Sequence, residues 1–492
     1  MTRILVPGET CFRLTACSGA GVLIDAHDYY ATLYAEAQRA ERRILLAGWQ
    51  FNSDVALLRG SEAERAEYPV ELLPFLVALC RERPELEVRI LAWDFNPVFA
   101  LEREWLQRAV FDFATPDNLR FEFDGRHAPG ACHHQKFAVI DERVAFVGGI
   151  DLASARWDAR RHLADDPLRC EKGEPQKPYH DTMAWVSGPA VRELEGLFLE
   201  RWSATSGEVL APLSAASQGP PRIERGLSLE TDQVGVLRTL HAGSAVVTET
   251  LAFYRAAIQS ATRSIYLETQ YLTARSIHDA LVERLTDQER EPIDVVVMMP
   301  LGADTPKERL VLGAAQERLL VSLFKHAERS PGRLRVYGSS AYGCGDTPKP
   351  TFIHSKLLIV DDRLLLIGSA NLTNRSLLLD SELGLAFESA APGDPLSLGI
   401  ARLRAELLGE HAGVEPDPQY FAGHGLISRL DPLLPGCRLI ARTLDAELAG
   451  NPPLLRLEKL FDPQKPLDEV ELDELVASGG RDSLASVHPA SG

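Results

Sequence analysis

The pattern of apolar and polar positions runs through the same order twice along the chain. Residues 30–51 align without a gap with residues 251–272. Each segment begins with apolar residues at helical spacing, continues with a basic cluster and ends in a β-rich apolar run. We therefore expect a helix followed by a buried strand in each half. Further short apolar runs predict two more buried strands per half, 86–95 and 119–123 in the first and 293–301 and 334–338 in the second.

The next repeated segment is a nonapeptide, HHQKFAVID at 133–141 and IHSKLLIVD at 353–361. In each copy a second polar residue and another apolar run follow. The pattern predicts a β-hairpin whose tight turn holds Asp141 or Asp361 and the polar residue after it.

The two copies keep one register well beyond the hairpins. The offset is 220 residues from His134 and His354 as far as Asp151 and Asn371. A repeat of this length indicates two α/β units, each built from alternating strands and helices.

A last strand pair shows where the halves differ in length. Residues 180–188 and 381–389 match at an offset of 201, so the first half has 19 additional residues around 160–178. The segment 203–224 is rich in Ser, Ala, Gly and Pro and is the expected boundary between the halves. The predicted domains are 1–215, 216–412 and an appendage, 413–492, with a disordered tail.

Composition limits the partners. The chain has 492 residues, 45% of them hydrophobic, and a net charge of −18. This acidity disfavours nucleic acid as a partner and standing attraction to anionic lipid. The seven cysteines form no CxxC pair, which gives no zinc signature and favours a cytoplasmic location. No apolar run of about 18 residues occurs, so any contact with a membrane surface is expected to be peripheral.

The chemistry of the repeat lies in its histidines and lysines. A strand places alternate side chains on one face, so His134 and Lys136 should point the same way, as should His354 and Lys356. Two such copies facing each other form a site with two imidazoles and two ammonium groups. A phosphodiester suits that site, because fixed cations stabilise its charge while one imidazole attacks phosphorus and the other protonates the leaving alkoxide.

Three further side chains fit this chemistry. Asn371 can donate its amide N–H to a phosphate oxygen. Asp181 and Glu382 occupy matching places on the next strand, where a carboxylate can bond the far imidazole nitrogen and fix its tautomer. The small residues at 148–149 and 368–369 are expected to let backbone approach a phosphate.

A single His-x-Lys on a strand is more often a surface accident than a catalyst, so the functional interpretation depends on the two copies. His133 is interpreted as structural, because Ile353 occupies its matching position. Trp49 is interpreted as a core residue, while Trp157 is a candidate for lining a lipid pocket.

These residues resemble the phospholipase D superfamily, whose signature H-x-K-x(4)-D occurs twice. The resemblance covers roughly residues 20–410 and looks nearest to bacterial members of the phospholipase D branch. The flanking segments that match are 145–158, 179–191, 265–272 and 368–382. The resemblance implies a bilobal monomer of two tandem phospholipase D-like α/β domains, related by a pseudo-twofold axis, with mixed sheets flanked by helices.

The resemblance also implies a mechanism without metal or other cofactor. His134 would attack phosphorus to form a phosphohistidine. His354 would protonate the departing alcohol and then activate water or another alcohol.

The remaining motif residues take supporting roles in this resemblance. Lys136, Lys356 and Asn371 would stabilise the equatorial oxygens, and Asp181 and Glu382 would orient the histidines. The motif aspartates, Asp141 and Asp361, are expected to serve the scaffold. Asp151 stands where the second copy has Asn371, and we expect its carboxylate to point away from phosphate or to bond a lysine.

Three functions remain open. The leading hypothesis is hydrolysis of a glycerophospholipid to phosphatidic acid and a head-group alcohol, with possible transfer to another alcohol. The alternatives are a phosphatidyltransferase of the cardiolipin synthase type and, less favoured, a phosphodiesterase acting on nucleic acid. The insertion at 160–178 is expected to shape the head-group pocket, so its replacement should change selectivity more than stability.

Overall fold

The computed structural model describes residues 2–94, 111, 115–213, 219–242, 245–302, 312–341, 348–450 and 461–466. Two mixed β-sheets with helices packed against them form an α/β fold. The predicted fold class is confirmed. The predicted disordered tail lies outside the described residues.

The first half supplies eleven strands and four helices. The strands are β1 (Arg13–Ala16), β2 (Gly19–Ile24), β3 (Arg43–Gly48), β4 (Glu87–Trp93), β5 (Leu119–Asp124), β6 (Phe137–Ile140), β7 (Val144–Gly148), β8 (Cys170–Glu171), β9 (Glu174–Pro175), β10 (Tyr179–His180) and β11 (Thr182–Ser187). The helices are α1 (Asp25–Gln38), α2 (Ser61–Glu64), α3 (Leu72–Glu82) and α4 (Pro189–Ser206). Both counts cover only the residues that the structure describes.

The rest of the chain adds another set of strands and helices. The strands are β12 (Leu227–Leu229), β13 (Gln233–Ala242), β14 (Ala245–Thr248), β15 (Ser264–Glu268), β16 (Asp294–Met298), β17 (Arg333–Ala341), β18 (Lys349–Ile353), β19 (Leu357–Val360), β20 (Leu364–Gly368), β21 (Glu382–Glu388) and β22 (Leu439–Ala441). The helices are α5 (Glu249–Ser260), α6 (Arg275–Thr286), α7 (Ala314–Ala327), α8 (Asn374–Leu378), α9 (Pro395–Ala412), α10 (Leu426–Leu430), a 3₁₀ helix (Asp431–Gly436) and α11 (Ala446–Ala449).

The repeat in sequence is a repeat of topology. The first sheet has the strand order β12-β2-β11-β7-β6-β3-β4-β5. The second has the order β1-β13-β21-β20-β19-β15-β16-β17-β18-β10, with β14 beside β13 and β22 beside β17. Seven consecutive strands correspond in order, from β2 to β5 and from β13 to β17.

Both predicted hairpins form, and their turns are the polar pairs. Strands β6 and β7 pair antiparallel, as do β19 and β20. Asp141 and Glu142 have φ of 54° and 51°, and Asp361 and Asp362 both have φ of 56°. Positive φ at both central residues is the geometry of the type I′ turn, whose twist matches that of the strands.

The two halves exchange edge strands. Strand β1 pairs with β13 of the second sheet, and β12 pairs with β2 of the first. Strand β10 pairs parallel with β18. The sheets are therefore interlocked, and the boundaries predicted at 215/216 and 412/413 stay predictions.

The hydrophobic core is continuous across the two sheets. One cluster of buried apolar side chains draws on both sheets and on the matching helices α4 and α9, through residues such as Trp202 and Leu403. Two outer clusters pack the remaining faces, one under α1 and α3 and the other under α5, α6 and α7. Trp157 is 3% exposed and belongs to the first outer cluster, so it does not line an open pocket.

The insertion at 160–178 lies mostly at the surface and is anchored in the interior by a few buried side chains. It carries the short hairpin β8–β9, and its His162 and Arg169 are each 1% exposed. Arg169 donates to the Asp158 carboxylate at 2.7 Å. Replacing this segment would leave buried charges without partners, so we also expect a loss of stability, and the larger effect on selectivity stays a prediction.

Candidate active site

Two bridges between the halves bring the motifs together. The backbone N–H of His134 donates to the Ser381 carbonyl at 2.9 Å, and that of His354 donates to the His180 carbonyl at 2.8 Å. His180 and Ser381 each precede one of the predicted carboxylates. Each motif strand is thus held beside the carboxylate of the opposite half.

The histidine–carboxylate pairs are therefore crossed. His134 Nδ1 lies 3.1 Å from both carboxylate oxygens of Glu382. His354 Nδ1 lies 2.6 Å from Asp181 Oδ2. In both pairs the bond to Nδ1 leaves Nε2 to face the reaction. Ser369 donates its hydroxyl to Glu382 at 2.5 Å and fixes that carboxylate in turn.

The motif histidines and lysines lie in the short segments just before β6 and β19, and each lysine bonds the backbone of its own histidine. Lys136 Nζ donates to the His134 carbonyl at 3.0 Å and lies 3.3 Å from Asp151 Oδ2. Asp151 thus bonds a lysine, which was one of the two arrangements expected for it. Lys356 Nζ donates to the His354 carbonyl.

The electrostatics join the four motif side chains into one site. Burial lowers the pKa of His354 well below its usual value, and the charges of Lys356, Arg156, Lys136 and His134 lower it further. The His354 imidazole is consequently neutral near pH 7 in the free protein.

Two neighbouring groups titrate close to neutral pH. Burial raises the pKa of Asp181 to about 6, although Lys356 opposes the shift. Burial lowers the pKa of Lys356 to about 7, although Asp181 opposes that shift. Small changes in pH therefore alter the charge of the site.

Asn371 is 7% exposed, and its side-chain carbonyl has no hydrogen-bond partner among the described residues. A buried amide without a partner is costly. The unpaired atom is an acceptor, so the expected donation from the Asn371 amide N–H to a phosphate oxygen stays a prediction.

The motif aspartates lie at the turn and hold backbone. The Asp141 carboxylate accepts from the N–H groups of Glu41, Arg42 and Arg43 at 2.7–2.9 Å. Asp361 accepts from three successive N–H groups, of Thr262, Arg263 and Ser264, in the matching loop. Both side chains thus tie the hairpin turn to the start of the neighbouring strand.

The glycines of the first motif make room for protein rather than for a phosphate. A Cβ at Gly149 would lie 2.2 Å from Asp181 Oδ1, and one at Gly148 would lie 2.3 Å from the Thr182 carbonyl. At Gly368 the Leu383 carbonyl is 2.7 Å from such a Cβ. At each of these glycines, the group that approaches closely belongs to the neighbouring strand that carries Asp181 or Glu382.

His133 has the environment of a structural residue. Its side chain is buried, with Nδ1 2.9 Å from Ser381 Oγ and Nε2 3.2 Å from Asp124 Oδ2. Burial lowers its pKa to about 4. The aromatic ring therefore stays neutral and packs between the halves.

Two residues beside His354 were missed by the sequence reasoning. The Tyr179 ring centroid lies 5.4 Å from that of His354, and the Arg156 Cζ lies 5.3 Å from the Tyr179 ring. The two registers of the repeat cover residues up to Asp151 and from His180 onwards, so neither residue lies in a matched segment. A search for residues that recur in both copies cannot find them.

A fully buried ionic network lies next to the site. His180 Nδ1 is 2.8 Å from Glu410 and 3.1 Å from Asp25, and its Nε2 is 3.0 Å from Glu268. His162 continues the network to Glu410 at 3.0 Å. Two groups in it have the donors and spacing of a metal site in the part of the chain that is described, namely Asp25, His162, His180 and Glu410, and His180, Glu268 and His411.

Two family models match the chain. "Phospholipase D" matches residues 124–290, and "Cardiolipin synthase, PLD-like domain" matches residues 254–396. Together they span both motifs.

Curated relatives include eukaryotic and bacterial proteins. Phospholipase D1 of Schizosaccharomyces pombe is 24% identical over 500 residues, covering 80% of this chain and 35% of its own. Cardiolipin synthase A of Pseudomonas entomophila is 30% identical over 290 residues, covering 58% of this chain and 47% of its own. The chain spans about a third of the length of several such phospholipases D. A place in the bacterial branch stays a prediction.

One solved structure matches nearly the whole fold. The phosphatidylserine synthase of Haemophilus influenzae has a TM-score of 0.54 at 15% identity, covering 94% of this chain and 96% of its own. At this identity the likeness concerns the fold. No helix in the described part of the chain combines the length and apolar character needed to cross a bilayer.

Proposed function

Because the chain belongs to the phospholipase D superfamily, we propose that it cleaves glycerophospholipids to phosphatidic acid and a head-group alcohol. The observation that carries this proposal is the crossed pair of imidazoles, each backed by a carboxylate, with a lysine bonded to the backbone carbonyl of each histidine. Such a site offers two proton-transfer groups and fixed positive charge to one phosphodiester.

The proposed reaction has two steps. The His134 Nε2 lone pair forms a bond to phosphorus, the bond from phosphorus to the head-group oxygen breaks, and His354 gives that oxygen a proton. Water then loses a proton to His354 and attacks phosphorus, which breaks the phosphorus–nitrogen bond and releases phosphatidic acid. An alcohol in place of water gives a new phosphatidyl ester.

The protonation states of the histidines suit this two-step reaction once substrate is bound. His354 is neutral in the free protein, and the negative charge of a bound diester raises the pKa of a nearby imidazole. Substrate binding would therefore accompany proton uptake by His354. Trapping the intermediate with an acid-free quench checks which histidine is the nucleophile. Recovery of phosphohistidine at position 354 would mean that His354 attacks phosphorus and His134 supplies the proton.

A phosphatidyltransferase of the cardiolipin synthase type is the second candidate. The family model "Cardiolipin synthase, PLD-like domain" matches residues 254–396, and the Pseudomonas relative is a cardiolipin synthase A. The chemistry differs only in the acceptor, which is a phosphatidyl alcohol instead of water. A phosphodiesterase acting on nucleic acid is less favoured, because the chain carries a net charge of −18. The predicted monomer, peripheral membrane contact and cytoplasmic location remain proposals.

The test is incubation with mixed phospholipid vesicles and ethanol. We expect phosphatidic acid and phosphatidylethanol, and cleavage of DNA with no lipid product would contradict the proposal.

His134→Asn and His354→Asn should each abolish turnover, while the exposed His326→Asn on α7 should not. Activity should persist in EDTA, since the proposed steps use no metal, and its loss on chelation would direct attention to the buried histidine–carboxylate groups.

A further inference from the structure

Arg156 carries a charge that is not neutralised by direct contact. It lies in the loop after β7, where its Nε is shielded from solvent and has no hydrogen-bond partner. Tyr179, under its guanidinium, is 1% exposed, and its hydroxyl also has no partner among the described residues. Arg156 as a whole is only partly buried, whereas the Tyr179 hydroxyl is shielded from solvent. Buried polar groups are normally paired, so the unpaired hydroxyl and the unpaired guanidinium Nε above the same ring indicate room for a ligand.

The carboxylates near Arg156 are already used by other donors. Asp151 accepts from the Trp49 N–H at 2.8 Å and contacts Lys136. Asp181 accepts from the Thr182 N–H at 2.8 Å and from His354 at 2.6 Å. Both carboxylates act on Arg156 only at longer range.

Arg156 belongs to the same site as His354. The Tyr179 ring is 5.3 Å from its Cζ and 5.4 Å from the His354 ring. Its charge also lowers the pKa of His354 more than the charge of Lys136 does. The guanidinium is a planar fork of donors that suits a phosphate or carboxylate better than an ammonium does.

We propose that Arg156, together with the Tyr179 hydroxyl, binds an oxyanion of the substrate on the His354 side of the site. This inference rests on the proposed function and adds a binding residue that the repeat does not contain. The oxyanion is either a non-bridging oxygen of the diester or an anionic group on the head-group alcohol. The head-group source is favoured, because His354 is the residue proposed to protonate the departing alcohol.

Kinetics with four diesters distinguish the two sources. The substrates are vesicles of phosphatidylserine, phosphatidylglycerol or phosphatidylcholine, and bis(p-nitrophenyl) phosphate. If Arg156 binds the head group, Arg156→Gln lowers kcat/KM for phosphatidylserine by about tenfold to a hundredfold and leaves phosphatidylcholine and the nitrophenyl diester near wild type. If it binds the diester oxygen, all four fall together. Arg156→Lys restores part of the loss in either arm.

The matched control is Arg402→Gln on α9, which removes one arginine whose side chain is 65% exposed. It should behave as wild type with every substrate. Thermal melting of each variant checks that the fold is kept. Wild-type kinetics of Arg156→Gln on all four substrates would overturn the proposal.

Binding of inorganic phosphate, measured by calorimetry, separates this proposal from the proposed function. We expect Arg156→Gln to weaken binding at least tenfold and Tyr179→Phe to weaken it less. Weaker binding in a protein that cleaves no diester would reject the phospholipase function and keep the anion site. Unchanged phosphate binding alongside unchanged kinetics would reject the Arg156 site and keep the function.

Discussion

At the scale of single residues, the two halves of the site are not equivalent. Lys136 has Asp151 as an ion-pair partner at 3.3 Å. The matching residue in the other half is Asn371, and no carboxylate of the described residues lies within 4.0 Å of Lys356. Lys356 is therefore a buried ammonium without a direct counter-charge, which is why its pKa falls to about 7.

This asymmetry predicts a narrow pH profile. Below a pH of about 6, Asp181 takes up a proton and no longer holds the His354 imidazole. Above a pH of about 7, Lys356 loses the charge that stabilises the phosphate oxygens. We expect kcat/KM, which reports the free enzyme, to be bell-shaped with its maximum between pH 6 and 7.

Lys356→Arg tests the basic limb of that profile. An arginine stays protonated, so the fall in kcat/KM should move to higher pH while the acid limb stays in place. The measurement is kcat/KM for a soluble diester from pH 5 to 9. If kcat/KM of the wild-type protein stays flat to pH 9, then either the pKa of Lys356 is not lowered or its charge is not required.

At the scale of elements, the hairpins were predictable because their signal is local. Two short apolar runs separated by a polar pair specify two strands and a type I′ turn within about ten residues. The crossed bridges from His134 to Ser381 and from His354 to His180 join segments far apart in sequence. Nothing in either segment alone indicates its partner, so the sequence placed Asp181 and Glu382 near the histidines without showing which carboxylate serves which ring.

The turn aspartates give a test of scaffold against chemistry. Asp141→Ala removes the acceptor for three backbone N–H groups, so we expect the free energy of unfolding to fall by about 2–4 kcal/mol. Asp141→Asn should lose about half as much, since an amide keeps one acceptor oxygen. Chemical denaturation gives both values. Turnover of the folded fraction should fall far less than in His134→Asn, and an equal loss of turnover would assign Asp141 to the chemistry.

At the scale of the whole molecule, a buried ionic network joins the two halves. His162 and His180 come from the first half, while Glu268, Glu410 and His411 come from the second. None of these positions recurs in both copies, so comparison of the halves cannot detect them. The symmetric chemistry of the site was visible in the sequence, whereas the asymmetric contacts that lock the halves together required the structure.

This network predicts how stability depends on pH. Burial alone would lower the pKa of His162, but the carboxylates of Asp25, Asp158 and Glu410 outweigh it and raise that pKa to about 10. The pKa of an unfolded histidine is about 6.5. The protonated imidazole therefore stabilises the fold in full below pH 6.5, and this contribution is lost as pH rises towards 10.

We expect His162→Gln to be less stable than wild type at pH 6.5 and the difference to shrink steadily up to pH 10. Denaturation midpoints at four pH values measure it, with the exposed His326→Gln as a control that should run parallel to wild type. A parallel curve for His162→Gln would mean that this imidazole keeps one charge throughout the range, and that the halves are held by contacts that do not depend on its protonation.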